Sequence, residues 1–359
     1  MCAAIQSCLT AAAAQGKTVW FPAGTYYQSA NFTLNGITVR GAGMWYTNLI
    51  STVAGSTFAG NIGFVLTGTG ATVSDLHIES AVHTTRSTLG GKPFTLTNPC
   101  TNWTVQNVWI THTCTGFWMS GGVNGVIRGC RVRFTYADAI NINNTNSGPY
   151  AATNTLVELN HVRGSGDDGI AILSGTAATA MSTNNTIRFN TVAATWWGHN
   201  CDIAGGTGHV ISDNYLADNA QFGCLTINLP GSFPMYPLTN TTISRNTIVR
   251  GGGNAYGQRR GAIWVFPGNQ TISGVAFRDN VITGAIFRGI HLVGTSNQQL
   301  TFERNSVDHP GEIGILIESQ AVGSGVFTSN TVRNLNSGFA AFTNSSANYA
   351  ATLTGNSWQ

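Results

Sequence analysis

The stretch GSGDDGIAILSG (164–175) sets two aspartates, Asp167 and Asp168, next to each other in a 359-residue chain of which only 9% is charged. Carboxylates that close repel, so at least one pKa rises and part of the group stays protonated near neutral pH. A protonated acid beside an ionised one is what cleavage of a glycosidic bond requires: one group protonates the leaving oxygen and another activates water. Two other readings stand beside this one. Asp-Asp-Gly is a common turn sequence whose carboxylates cap backbone amides, and clustered acids on one surface can hold a hard cation such as calcium. What surrounds the doublet decides among them.

The elements that position it come from an internal repeat. From the middle of the chain onward one phrase returns: a short alternating strand, an Asn, an aliphatic or β-branched pair, a loop, and a second strand beginning near Gly. The Asn positions are Asn160, Asn190, Asn214, Asn246, Asn280, Asn305 and Asn330, spaced 30, 24, 32, 34, 25 and 25 residues apart. Asn107 and the Gly129-Cys130 pair continue the series toward the N-terminus. Asn suits a tight corner because it tolerates left-handed backbone and its side chain bonds neighbouring amides. Period-2 strands without helical periodicity between them exclude a Rossmann or barrel layout. A propeller would need about four strands per ~40-residue blade. The pattern predicts an all-β fold, a right-handed parallel β-helix (solenoid) in which each repeat is one coil. Residues 1–16 read as a short amphipathic helix through Ala14, stopped by Gly16, and predict the N-terminal cap that an exposed solenoid end needs. No linker is legible, so residues 1–359 are expected to form a single β-helix domain.

The second strand of each coil can be aligned by its aliphatics: Ile140/Ile142, Ile170/Ile172, Leu225/Ile227, Ile263/Val265, Ile290/Leu292 and Ile315/Ile317 should form two inward columns. The residue two before the first aliphatic then forms a column of its own, read as Asp138, Asp168, Cys201, Arg260 and Arg288. Asp138 should therefore lie one coil from Asp168, about 5 Å away at strand spacing, with Asp167 beside it. His199 and Asp202 of WWGHNCDIAGG should lie one coil further on. Trp196 and Trp197, on the loop leading to His199, and Trp264 and Tyr236 on neighbouring coils offer aromatic faces for sugar rings. Trp264 and Trp118 could equally be core. Arg260 and Arg288 are candidates either for contacting substrate or for pairing with nearby acids, and His199 could be a structural histidine.

Bulk composition narrows the classes. A net charge of +3, dispersed, with lysine only at Lys17 and Lys92, gives no clustered basic face for nucleic acid. No apolar run approaches the ~20 residues of a membrane span. The seven cysteines contain no CxxC pair, which argues against zinc; in a secreted chain some would form disulfides, and the odd count leaves at least one thiol over. No signal peptide is legible, and Met1 reads as the start of a processed chain.

A lone Asp on one coil, GDD on the next and Gly-His on the one after resemble the pattern of polygalacturonases, glycoside hydrolase family 28. The segments TVWFPAGTY, GAGMWYTNLI, TGFWMSGGVNGVIRGCRVRFTYADAININ and GSGDDGIAI resemble glycoside hydrolase family 87, the α-1,3-glucanases and mycodextranases, more closely. The resemblance implies an inverting hydrolase whose catalytic set is Asp138, Asp167 and Asp168. Asp138 and Asp168 share a column and would hold the nucleophilic water, leaving Asp167 as the acid. His199, Asp202, Trp196, Trp197, Arg260, Arg288, Trp264 and Tyr236 would contact the substrate. No cofactor or metal is required on this reading, although a structural calcium ion in a coil turn stays open. Departures from family 28 point away from a polyuronate: Tyr136-Ala137-Asp138 replaces Asn-Thr-Asp, no Arg-x-Lys is present, and Asn200 follows the histidine where that family has Gly. The expected substrate is a neutral α-glucan, α-1,3-linked or mixed α-1,3/1,4. The alternatives are a polygalacturonase-like hydrolase, a polysaccharide lyase using Arg260 or Arg288 as base on a polyuronate, and a non-catalytic carbohydrate-binding solenoid. A secreted monomer with a polysaccharide as its only partner, no nucleic acid and no membrane, completes the expectation.

Overall fold

Each repeat closes one turn of a parallel β-helix. The computed structural model describes residues 2–51, 62–81, 91–144 and 148–359. One wall is a sheet of 12 parallel strands running from Phe32–Asn35 to Phe342–Asn344. Its middle strands are Ile140–Asn143, Ile170–Leu173, Cys201–Ala204, Leu225–Asn228, Gly261–Phe266 and Arg288–Leu292. The other walls are shorter parallel ladders; strands such as Thr104–Thr111 bend across the corner between two of them and join the ladders into one sheet.

The aliphatic columns run inward as the period-2 pattern requires. Ile140, Ile170, Cys201, Leu225, Ile263, Ile290 and Ile315 pair in one line, and Ile142, Ile172, Ile203, Ile227, Val265, Leu292 and Ile317 in the other. All are buried, each side chain stabilising the fold by about 1.5–3 kcal/mol. The alignment of Cys201 from sequence is corrected here. It pairs with Ile170 inside the core rather than standing two residues earlier, because a buried thiol serves as a small hydrophobe and fills an aliphatic position.

The corners also amend the expectation. Asn160, Asn190, Asn214, Asn246, Asn280, Asn305 and Asn330 are buried in an unbroken ladder. Each Oδ1 accepts from the backbone N–H of the previous position, and each Nδ2 donates to the next Oδ1 and to a main-chain carbonyl. The ladder begins at the amide of Cys130 and ends on Asn356. The left-handed residue is the one before: Leu159, Phe189, Asp213, Arg245, Asp279, Arg304 and Ser329 have φ between 53° and 59°. Asn107 takes this outer position rather than the ladder, with φ 52°. Left-handed Asn is found at a different corner, in Asn102, Asn124, Asn154, Asn184 and Asn240. The two properties of Asn are thus split between two columns.

Helix α1 (Cys2–Gln15) covers the first coil with Leu9 and Ala12 buried. Its Gln6 amide pairs with both backbone groups of Thr33, at 2.9 and 3.2 Å, and satisfies an edge that would otherwise face water. The expected disulfides are replaced at four positions by buried free thiols, Cys100, Cys130, Cys201 and Cys224. Burial pushes the Cys130 and Cys224 thiols up to about 12, which leaves them unreactive.

Candidate active site

The Asp167-Asp168 turn belongs to a stack of three turns that leave no room for side chains at their glycines. A Cβ at Gly166 would lie 2.4 Å from the Tyr136 carbonyl oxygen, and one at Gly198 would lie 2.5 Å from Asp167 Oδ1. The turns of residues 136–138, 166–168 and 197–199 can therefore approach closely, and each acid bonds the next coil. Asp138 Oδ1 accepts from the Asp168 N–H (3.2 Å), and Asp168 Oδ1 accepts from the His199 N–H (2.8 Å). The carboxylates extend along one wall the amide-capping device that the Asn ladder uses at the corner.

Oxygens of Asp138, Asp167 and Asp168 lie within 4.8 Å of one another, and so do ligand atoms of Asp168, His199 and Asp202. His199 Nδ1 is 2.8 Å from Asp168 Oδ1. Asp138, Asp168, His199 and Asp202 are buried, while Asp167 is half-buried at the outer turn. Burial, then the neighbouring Asp168 and Asp167 carboxylates, raise the Asp138 pKa well above the usual range, against the opposing Asn141 hydrogen bond. Burial raises Asp202 to about 7 despite the opposing charge of His199. Burial disfavours the His199 imidazolium, yet the carboxylates of Asp202 and Asp168 outweigh it and raise the His199 pKa. The cluster thus holds protons near neutral pH, as general acid catalysis requires.

Two residues missed from sequence complete the polar shell. Asn141 Nδ2 donates to Asp138 Oδ2 at 2.6 Å, and Thr226 Oγ1 donates to Asp202 Oδ1 at 2.5 Å. Both occupy the outward position between the two inward columns, in the line Trp118, Asn141, Ala171, Asp202, Thr226, Trp264 and His291. A polar residue alternating with buried aliphatics was the available signal. Trp118 and Trp264 are in this outward line and not in the core: Lys92 Nζ lies 4.0 Å from the Trp118 ring centroid, and the Trp264 ring stacks 6.5 Å from His199.

The remaining candidates separate. Trp196 is exposed and Trp197 touches Phe222, whose ring is 4.9 Å from His199. Arg260 falls out of the acid column. Gly261, which stands two residues before Ile263, occupies that position and pairs with Arg288, while Arg260 stands three before Ile263. Arg288 keeps its place but lies 3.7 Å from Glu312, which also pairs with Arg259. Tyr236 is not brought to the acids; its hydroxyl donates to the Ala178 carbonyl (2.8 Å), beyond the opposite end of the strand that follows Asp168. Either group of three has the donors to hold a cation; the all-oxygen set of Asp138, Asp167 and Asp168 is the one whose chemistry suits calcium.

A family model described as the catalytic domain D2 of alpha-1,3-glucanase matches residues 2–358. No curated protein matches. Among solved structures, the catalytic domain of a family 87 alpha-1,3-glucanase in complex with nigerose is similar at TM-score 0.81 and 22% identity, over 99% of this chain and 67% of that one. The catalytic unit of a thermostable family 87 alpha-1,3-glucanase from Streptomyces thermodiastaticus strain HF3-3 is similar at 0.78 and 24%, over 99% of this chain and 65% of that one. A surface adhesin of Streptococcus pneumoniae has the same fold at 0.70 and 16%, over 93% and 87%. This chain spans about two thirds of the length of the two glucanase structures.

Proposed function

The chain belongs to the alpha-1,3-glucanase catalytic domain D2 family of glycoside hydrolases, and from that premise we propose that it hydrolyses a neutral α-glucan, α-1,3-linked or mixed α-1,3/1,4, with inversion. The observation that carries this is the proton-holding cluster of Asp138, Asp167, Asp168, His199 and Asp202 on one wall. Asp167 is the general acid: it alone of the three is half-exposed, where a leaving glycosidic oxygen can reach it. Asp138 and Asp168, joined through the Asp168 amide, orient the attacking water. The proton that burial favours on Asp138 in the free protein passes to Asp167 as the sugar displaces water, so that Asp138 can accept from the nucleophile. His199, charged and fixed on Asp168, holds that carboxylate in place. Among two-carboxylate inverting enzymes the groups stand about 6.5–9.5 Å apart to admit water. Here the oxygens are within 4.8 Å, and the third carboxylate supplies the water site that such a gap would otherwise provide.

Trp196 and Trp197 supply the aromatic faces next to the acids. A polymeric glucan as substrate is consistent with a secreted monomer that requires no metal. The test is incubation with α-1,3-glucan, mixed α-1,3/1,4-glucan, dextran and polygalacturonate, following reducing ends, unsaturated ends by ultraviolet absorbance, and the first anomer released by NMR. Release of β-anomer reducing ends from an α-1,3-linked glucan is expected. Unsaturated ends from polygalacturonate would establish a lyase, and α-anomer release would overturn inversion. The adhesin's shared fold supports one other reading, a binding solenoid without turnover; it predicts sugar binding with no hydrolysis of any of the four.

A further inference from the structure

Further along the same wall lies a depression of about 490 Å³ whose lining includes Arg260, Trp264, Phe266, Arg288, His291 and Gln320. By the ladder register Trp264 stands three coils from Asp168, and Arg288 and His291 stand four. At ~4.8 Å per coil that is roughly 14–19 Å of backbone rise from Asp168, while the Trp264 ring reaches back to 6.5 Å from His199, so the depression continues directly from the acid cluster.

Arg260 is the anomaly in this depression. It is only 7% exposed, its guanidinium lies 3.8 Å from the Trp264 ring centroid and 5.1 Å from that of Phe222, and its buried Nε and Nη1 find no hydrogen-bond partner among the described residues. The neighbouring charges are matched. Arg259 and Arg288 face Glu312, and His291 Nε2 is 2.7 Å from Glu318, which also accepts from Gln320. Stacking on an indole offsets part of the desolvation of a buried cation, but unmade hydrogen bonds at a buried charged group remain expensive. Oxygens from outside the chain would complete them. Glu312 and Glu318 leave one guanidinium, that of Arg260, unmatched, so the choice of a neutral sugar comes from the glucan reading of the acid cluster and not from the charge of the depression.

We propose that this depression is a subsite, away from the cleaved bond, for a neutral sugar unit of the same polysaccharide, Arg260 donating from Nε and Nη1 to sugar hydroxyl oxygens while Trp264 and Phe222 hold the guanidinium in place. The proposal rests on the reading of the acid cluster as a glucan-cleaving centre, and it sets the polysaccharide parallel to the solenoid axis.

Calorimetric binding of nigerose and of an α-1,3-linked hexasaccharide to the Asp168→Asn protein tests it. The hexasaccharide should bind more tightly, and Arg260→Gln in that background should remove at least about tenfold of the gain from chain length, the size of one lost charged hydrogen bond. Gln320→Trp, at the exposed rim, should remove the same gain by filling the depression without disturbing the buried stack. A length-dependent gain that survives both substitutions overturns the proposal. So does an oligogalacturonate that binds in preference to the glucan and is lost with Arg260→Gln, which would make this an anion site. Hydrolysis by the unsubstituted chain is scored separately: its absence with length-dependent binding intact overturns the catalytic reading and leaves the Arg260 subsite standing.

Discussion

Replacing Asp202 with Asn should change how the stability of the protein depends on pH. Asp202 is 3% exposed and its carboxyl is raised from 3.8 to about 7. A raised acid pKa means that the native state keeps a proton which the unfolded chain releases above about pH 4. Between there and pH 7 the native state binds one proton more from this group. Unfolding free energy therefore falls as pH rises, by about 1.4 kcal/mol per pH unit. From pH 4.5 to 6.5 the loss is about 3 kcal/mol. An amide at position 202 has no proton to lose and can still accept from the Thr226 hydroxyl. Asp138, raised in the same direction, contributes to both proteins and cancels in the difference. Urea denaturation of the parent and Asp202→Asn across this range should give curves that diverge, the variant gaining about 3 kcal/mol relative to the parent by pH 6.5. Parallel curves would show that Asp202 ionises normally, and the electrostatic account of the cluster would fall with them.

Other consequences are as direct. Asp167→Asn and Asp168→Asn should each lower turnover of α-1,3-glucan by about 10²–10⁴-fold, the usual contribution of a general acid or base, with binding of an oligosaccharide retained; near-normal reducing-end release by either variant refutes its role. Asn246→Ala removes a fully buried side chain that accepts from the Asn214 backbone and side chain and donates to the Ile211 carbonyl and Asn280. Stranding those groups should cost about 3–5 kcal/mol in urea denaturation, and a loss under about 1 kcal/mol would show that the ladder is not a principal source of stability. Activity should survive exhaustive treatment with EDTA, since protons on Asp138 and Asp202 offset the carboxylate charge that a cation would otherwise neutralise; inactivation reversed by calcium would reinstate a metal in the site.

What was legible in the sequence came from local periodicity. Alternating aliphatics specified which strand positions face inward, and counting back two residues from Ile140 and Ile170 brought Asp138 and Asp168 into one column. The same count failed where the core residue was not aliphatic: Cys201 fills an isoleucine site, so His199 holds the column position instead. At Ile263 the same count gives Gly261, the residue that pairs with Arg288, so Arg260 never belonged to the column. Asn141 and Thr226 escaped notice because nothing in a single strand indicates which acid an outward polar residue will meet.

By itself, then, the sequence determined the solenoid, its coil length and the rung that carries each acid, because side-chain alternation and corner chemistry act between residues close in the chain. Only the tertiary structure decided which carboxyls are neutral, where the imidazole charge rests and which arginine is left without an acceptor. Those properties depend on lost water and on charges some 30 residues away in sequence and one coil away in space, and no local pattern records either.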